Sequence, residues 1–367
     1  MYTNELNAIK KSNRFRSREL FADDVIDLAS NDYLGLAENK ELLELACDEI
    51  KRYKFHSPKA SMLVNGYHEI HKNFETALCE ANNIESGVIV GSGFLANISL
   101  IEALVRKDDV LFIDEEYHAS GILATRFHNR KQIMVFKHND FEDLEQKIAS
   151  CDAIGRKLVA IEGIYSMSGD IAKKEIFEIS DAFGALLIVD EAHSSGIIGD
   201  NLMGIFDFYK IQPKQNHIKM GTLGKAYGSY GAYILGSKEI ISYLENRAKP
   251  IIYSTAPSLF DTLLGHKALE FILQNNRSLK SQIDSKKNYF DQKLNIKKEG
   301  LIFPIEIGNN KMVLKIKQKL KDEGFLIGGI RQPTVKNPIL RIIGRINIDN
   351  SSLDKLIFGI NKEISSV

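Results

Sequence analysis

Short apolar runs alternate with longer stretches of helical spacing through the middle of the chain, from about residue 85 to 240. The runs Val88–Val90, Val110–Asp114, Ile133–Phe136, Lys157–Glu162, Ala185–Asp190, His217–Met220 and Ala232–Leu235 are apolar at successive positions. Strands of that kind are buried on both faces, so the pattern predicts an α/β fold with a seven-stranded sheet and helices on both sides. Helical spacing over Asn97–Val105, Phe141–Ile148 and Lys173–Phe183 supplies connections. Two helices, Lys40–Tyr53 and Glu69–Glu80, precede this block, and helical periodicity runs from Pro257 to about Leu294 after it. Beyond that the chain changes character. Leu301–Ile307, Phe325–Ile330 and Ile339–Ile343 read as strands, with a helix over Asn310–Asp322 and a last one from Ser351. The expected organisation is an N-terminal arm (1–40), a large α/β domain (41–275) and a smaller C-terminal α+β domain (276–367).

Charge narrows the classes of function. The chain carries 48 Lys+Arg against 48 Asp+Glu, so nothing draws it as a whole to nucleic acid or an anionic membrane, and an anionic ligand must be held locally. Cys47, Cys79 and Cys151 are odd in number, far apart and outside any C-x-x-C pair, which argues against a disulfide framework or a zinc site. They read as buried thiols in a reducing compartment. The N-terminal Met1–Leu6 segment turns polar at once, and no stretch approaches the ~20 apolar residues of a membrane span. The expectation is a cytoplasmic protein with no metal and no membrane partner.

Many glycines fall just after the expected strands: Gly91, Gly93, Gly163, Gly196, Gly221 and Gly224 among them. In an open α/β sheet those positions line the crevice beyond the carboxyl ends of the strands, where ligands bind. Two residues there point to specific chemistry. Asp190 ends a buried apolar run and stands about 35 residues ahead of Lys225, which lies between glycines. A cofactor that acts as an electron sink through a lysine Schiff base needs a carboxylate to keep its ring nitrogen protonated, and pyridoxal phosphate (PLP) is that cofactor. Two other readings compete. Asp190-Glu191-Ala192-His193 also spells the magnesium box of nucleic-acid-dependent ATPases, but a phosphate loop needs a glycine where Lys219 stands and a Ser or Thr where Ala226 stands. Gly91-Ser92-Gly93-Phe94-Leu95-Ala96 fits a dinucleotide fingerprint, yet a glycine-rich helix N-terminus holds the phosphate of PLP by the same physics. One site that uses both glycine segments explains more than two that each use one.

Several ordered motifs then carry a resemblance: Ser30-Asn31-Asp32-Tyr33-Leu34-Gly35-Leu36, Gly93-Phe94-Leu95-Ala96-Asn97, Tyr117-His118-Ala119-Ser120, Glu162 to Asp170, the Asp190 and Lys225 segments, and Tyr253-Ser254-Thr255. Over nearly its whole length the chain resembles the α-oxoamine synthases, fold-type-I PLP-dependent transferases with a mostly parallel sheet that condense an amino acid with an acyl thioester. The resemblance implies that Lys225 carries the cofactor and removes the Cα proton, and that Asp190 pairs with the ring nitrogen. It further implies that His193, helped by Ser166, bonds the phenolic oxygen, and that His118 stacks on the ring. Gly93, Phe94 and Thr222 are expected at the phosphate, with Ser254 and Thr255 reaching the phosphate of a second copy in a homodimer with shared active sites. Asn31 and Arg341 match positions that hold the substrate carboxylate. Ile330–Val335 is most similar to members acting on alanine and a pimeloyl thioester, carried by CoA or a carrier protein. Members that use glycine with acetyl-CoA or succinyl-CoA remain open. Two segments depart from the family pattern: Ser57–Met62, ahead of Gly66-Tyr67, lacks the usual glycines, and Lys336–Ile339 is shorter than usual and lacks the glycine. Both bear on acyl specificity.

Overall fold

The computed structural model describes residues 1–365. Among them are eleven strands: β1 (Ile26–Leu28), β2 (Ser86–Val90), β3 (Val110–Asp114), β4 (Ile133–Phe136), β5 (Lys157–Glu162), β6 (Leu186–Asp190), β7 (His217–Thr222), β8 (Ala232–Gly236), β9 (Ile302–Glu306), β10 (Phe325–Ile330) and β11 (Ile339–Ile343). Seven of them form one sheet in the order β2-β8-β7-β6-β5-β3-β4, in which only β8 runs against its neighbours. All seven expected strands are present.

The continuous apolar runs have a simple cause. Leu111, Ile113, Leu158 and Ala160 face one core with the helix Gly93–Leu104, while Phe112, Val159, Ile161 and Val189 face another with the helix Lys174–Ala182. Side chains alternate between two buried faces, so no polar face shows in the sequence. From β3 the chain crosses to β4 at one edge, whereas β5, β6 and β7 step the other way. That reversal opens a crevice at the carboxyl ends, where Asp114, Glu162, Asp190 and Thr222 end their strands.

The smaller sheet has the order β1-β10-β11-β9, with β1 parallel to β10 and the other pairs antiparallel. Strand β1 comes from the segment read as an arm, and its three residues are too few to set a period. The 36-residue helix Leu259–Leu294 joins the two sheets: Leu263 packs near the start, and Phe290 stacks on Phe303 of β9 with ring centroids 4.1 Å apart. The boundary expected at residue 275 falls inside this helix.

Other differences are local. Helices Ala119–Ala124 and Lys238–Arg247 carried no clear signal, and the helix expected to Tyr53 ends at Ile50. In the glycine-poor segment, Lys59 itself adopts a left-handed φ of 68°, at a cost of roughly 1–2 kcal/mol. The three cysteines are free but half-buried, not fully buried as expected. Among the described residues no helix is long and apolar enough to cross a membrane, and no His/Cys/Asp/Glu cluster suits a metal ion.

Candidate active site

Asp190 closes β6 at 3% exposure, where an unpartnered carboxylate would be costly. One of its oxygens accepts from the Ala192 N–H at 3.0 Å and the other from the Asn97 amide at 2.8 Å. Asn97 projects from the helix Gly93–Leu104 and is itself pinned, accepting from Tyr117 Oη at 2.6 Å and donating to Ser120 Oγ at 3.0 Å. Ser120 Oγ lies 2.7 Å from His118 Nδ1. A buried polar chain therefore runs from His118 through Ser120 and Asn97 to Asp190.

His193 lies in the turn that follows. Its Nε2 is 2.7 Å from Lys225 Nζ, and its Nδ1 is 2.5 Å from Tyr33 Oη. An ammonium at Lys225 donates to Nε2, which puts the imidazole proton on Nδ1, facing Tyr33. Lys225 is carried by a turn after β7, closed by the Gly228 N–H on the Lys225 carbonyl at 3.0 Å. Gly228 is required there: its φ is 58°, and a Cβ would come within 2.5 Å of the Leu36 and Ala37 backbone. The close approach brings the lysine turn against the segment that holds Asn31 and Tyr33.

Arg341 enters from β11 of the smaller sheet. Its Nε donates to the Ser166 carbonyl at 2.7 Å and a terminal nitrogen donates to Asn31 Oδ1 at 3.0 Å. Nearby Arg345 pairs with Asp32 at 3.0 Å and Glu38 at 2.5 Å. Both arginines are nearly fully buried, yet among the described residues only Arg345 has carboxylate partners. Arg341 has the fork geometry to take one from a ligand.

At the opposite end, Ser92 caps the helix Gly93–Leu104 by accepting from the Leu95 N–H, and the N–H groups of Gly93 and Phe94 lie in its open first turn. A Cβ on Gly93 would stand 3.6 Å from Thr222 Cβ, so the helix start and the end of β7 form one concavity. Thr222 Oγ1 donates to the Gly231 carbonyl at 3.0 Å. Ser254 is half-buried and Thr255 exposed, both in the turn after the helix Lys249–Ile252. Among the described residues no hydrogen bond joins that turn to the Lys225 cluster.

Burial and neighbours set the proton affinities. Burial lowers the pKa of Lys225 to about 8, with Asp190 and Glu162 opposing. Burial and the Lys225 charge hold His193 well below the ordinary histidine range, so its imidazole is neutral. Burial also lowers His118, against the pull of Asp190. Glu162 moves the other way: burial and the adjacent Asp190 push it well above the usual carboxylate range.

The structure brings Lys225, His193, Asp190, His118, Ser166, Asn31 and Arg341 around one crevice, with Gly93, Phe94 and Thr222 at the end formed by the helix start. Ser254 and Thr255 stand apart. Tyr33, Asn97, Tyr117, Ser120 and Glu162 also belong to the cluster, although the motif reading gave them no role. Each stands inside a motif, but its contacts span 20 or more residues in most cases and have no local signature.

This fold and crevice define a PLP-dependent enzyme of fold type I. The sequence pattern described as aminotransferase class I and II matches residues 23–359, and the chain belongs to that family. It is 43% identical to 8-amino-7-oxononanoate synthase of Helicobacter pylori strain J99 over 96% of this chain and 94% of that one. Among solved structures, 8-amino-7-oxononanoate synthase from Francisella tularensis is 25% identical, with a TM-score of 0.79 over 94% of this chain and 99% of that one. Serine palmitoyltransferase of Sphingomonas wittichii shares the fold at 21% identity, with a TM-score of 0.87 over 93% and 88% of the two chains. The cofactor is PLP, which a solved serine palmitoyltransferase of the same fold contains, and the donor set fits it: a helix start for the phosphate, a fixed carboxylate for the ring nitrogen, and a lysine of lowered pKa.

Proposed function

We propose that the chain condenses L-alanine with a pimeloyl thioester, carried by CoA or a carrier protein, to give 8-amino-7-oxononanoate, the free thiol and carbon dioxide in biotin biosynthesis. What carries the reading is the convergence of Lys225, Asp190 and Arg341 on one crevice, in a chain similar along its length to 8-amino-7-oxononanoate synthases. Bound there, PLP supplies an electron sink for the charge left at the Cα of the amino acid. Lys225 attaches the cofactor and takes and returns the Cα proton, for which an amine of lowered pKa is suited. Asp190, fixed by Asn97 and Ala192, keeps the ring nitrogen protonated. His193 and Ser166 would hold the phenolic oxygen, and His118 would hold the ring. Gly93, Phe94 and Thr222 hold the phosphate together with the partner subunit's Ser254 and the partner subunit's Thr255. Arg341 and Asn31 hold the alanine carboxylate.

The working unit is a homodimer. Exposed Leu63, Val64 and Tyr253 support this, since they lie on segments tied together by the Ala256 N–H on the Ala60 carbonyl at 3.0 Å, beside Ser254 and Thr255. Three free cysteines suit the cytoplasm.

Release of thiol over a matrix of alanine, glycine and serine against pimeloyl, acetyl and succinyl thioesters tests the reaction. A single methyl group is worth only ~1–3 kcal/mol in a pocket, so alanine should be preferred and glycine still used. The pimeloyl chain offers several methylenes at ~0.8 kcal/mol each, so the acyl donor should discriminate more. A maximum at glycine with acetyl-CoA or succinyl-CoA would refute the assignment.

A further inference from the structure

Glu162 closes β5 directly beside Asp190: the two are register partners on neighbouring parallel strands, so their side chains leave the same face. They are 1% and 3% exposed. Asp190 accepts two hydrogen bonds, whereas Glu162 accepts one, from the Ser166 N–H at 2.9 Å, and its Oε1 has no partner among the described residues. Two adjacent buried carboxyl groups do not both ionise readily, and the one with fewer donors keeps its proton. Among the described residues no cation bonds Glu162: Lys225 lies on His193, and Arg341 on Ser166 and Asn31.

We propose that Glu162 is a positioning residue that works as an un-ionised carboxylic acid, holding the Ser166 turn, and through it Arg341, against the end of β5. The connection is continuous. Glu162 Oε2 fixes the Ser166 N–H, the Ser166 carbonyl accepts from Arg341 Nε at 2.7 Å, and Arg341 reaches Asn31. One turn thus links the arginine proposed for the substrate carboxylate to the strand next to Asp190. The surroundings favour the neutral form. Asp190 of β6 and Asp114 of β3 oppose a charge on Glu162, Lys225 favours it, and the phenols of Tyr33, Tyr117 and Tyr165 sense it. Burial, the largest influence, decides for the acid. A neutral Glu162 leaves Asp190 as the single negative charge for the ring nitrogen and keeps a second carboxylate from competing for Arg341.

This inference rests on the cofactor site proposed above, and the test separates the two. Wild type, Glu162→Gln and Glu162→Ala are compared as PLP-loaded enzymes by infrared difference spectroscopy in D2O and by separate KM values for alanine and acyl donor. The wild-type minus Glu162→Gln spectrum should contain the carbonyl stretch of an un-ionised carboxylic acid. Glu162→Ala should raise the alanine KM by about tenfold with little change in that of the acyl donor, and Glu162→Gln should recover most of the loss because its amide oxygen still accepts from Ser166. A carboxylate band in place of the acid band overturns the proposal. So does a Gln variant as impaired as the Ala variant, or an Ala variant with an unchanged alanine KM. If Glu162→Ala does not fold, the infrared band decides. A wild type that binds no PLP fails the cofactor reading instead, whatever the band shows.

Discussion

Two walls face each other across the crevice, one built from carboxyl groups and the other from arginines. The seven-stranded sheet ends in buried carboxyl groups, Asp114, Glu162 and Asp190, while β11 of the smaller sheet and the turn after it bury Arg341 and Arg345. Two of these acids are held by neutral donors: Asp190 by Asn97 and a backbone N–H, Glu162 by Ser166. Of the arginines, Arg345 is neutralised by Asp32 and Glu38, whereas Arg341 bonds the Ser166 carbonyl and the Asn31 amide oxygen and has no carboxylate partner among the described residues. A buried cation without a carboxylate is costly unless a ligand completes it. On the function proposed above, this contrast divides the roles: the large sheet would serve a protonated ring and an amine, and the small sheet an anionic substrate.

Removing the central group of the acidic wall should have the largest effect. Lys225→Ala removes both the proposed attachment point and the proposed base, and thiol release should fall at least about a thousandfold while circular dichroism stays native. On the other wall, Arg341→Ala should lower kcat/KM for alanine by about a hundredfold through KM, with Arg341→Lys recovering only part, since an ammonium cannot replace the bidentate fork. An equal effect on the acyl donor would break the proposed division. Next comes sharing between subunits. Mixing Lys225→Ala chains with chains carrying both Ser254→Ala and Thr255→Ala should restore about a quarter of wild-type activity, because half the dimers are hybrids with one intact site each. No recovery despite proven exchange would place the phosphate contacts within one chain.

The smallest effect concerns a tie between the walls. His138 lies 3.1 Å from Asp114 and 3.5 Å from Asp170, and Asp170 pairs with Lys298 beyond the long helix. Burial works against its charge, but the bonds to Asp114 and Asp170 win and raise its pKa to about 10. A histidine raised in the folded state contributes stability that is full below its unfolded pKa of ~6.5 and is lost as pH climbs through about 10. The melting temperature of wild type should therefore exceed that of His138→Gln most at pH 6, and the gap should close toward pH 10. A gap that widens with pH would show that His138 is neutral in the fold.

The two regions also differed in how legible they were. The large sheet could be read almost strand by strand because burial on both faces removes polar residues from the strands, as in Leu186–Val189 ahead of Asp190. The start of the small sheet was hidden, since β1 has three residues and pairs with β10 about 300 positions later. Lys225, Asp190 and His193 were visible because their motifs follow strands. Glu162, Asn97, Tyr117 and Ser120 matter through hydrogen bonds to one another's neighbourhoods, and no spacing rule marks which buried polar side chains meet. Arg341 stood out as a charge in an apolar strand, but that no carboxylate among the described residues pairs with it emerges only from the fold.

The central claim is that the acidic wall holds PLP on Lys225. The most direct measurement is borohydride reduction of the PLP-loaded enzyme followed by digestion and mass mapping of the labelled peptide. The pyridoxyl group should appear on the peptide containing Gly221 to Gly228, at Lys225, and should be absent from the Lys225→Ala protein. A label on another lysine, or a chain that takes up no PLP while hydrolysing ATP with nucleic acid or oxidising a substrate with NAD, would contradict the account.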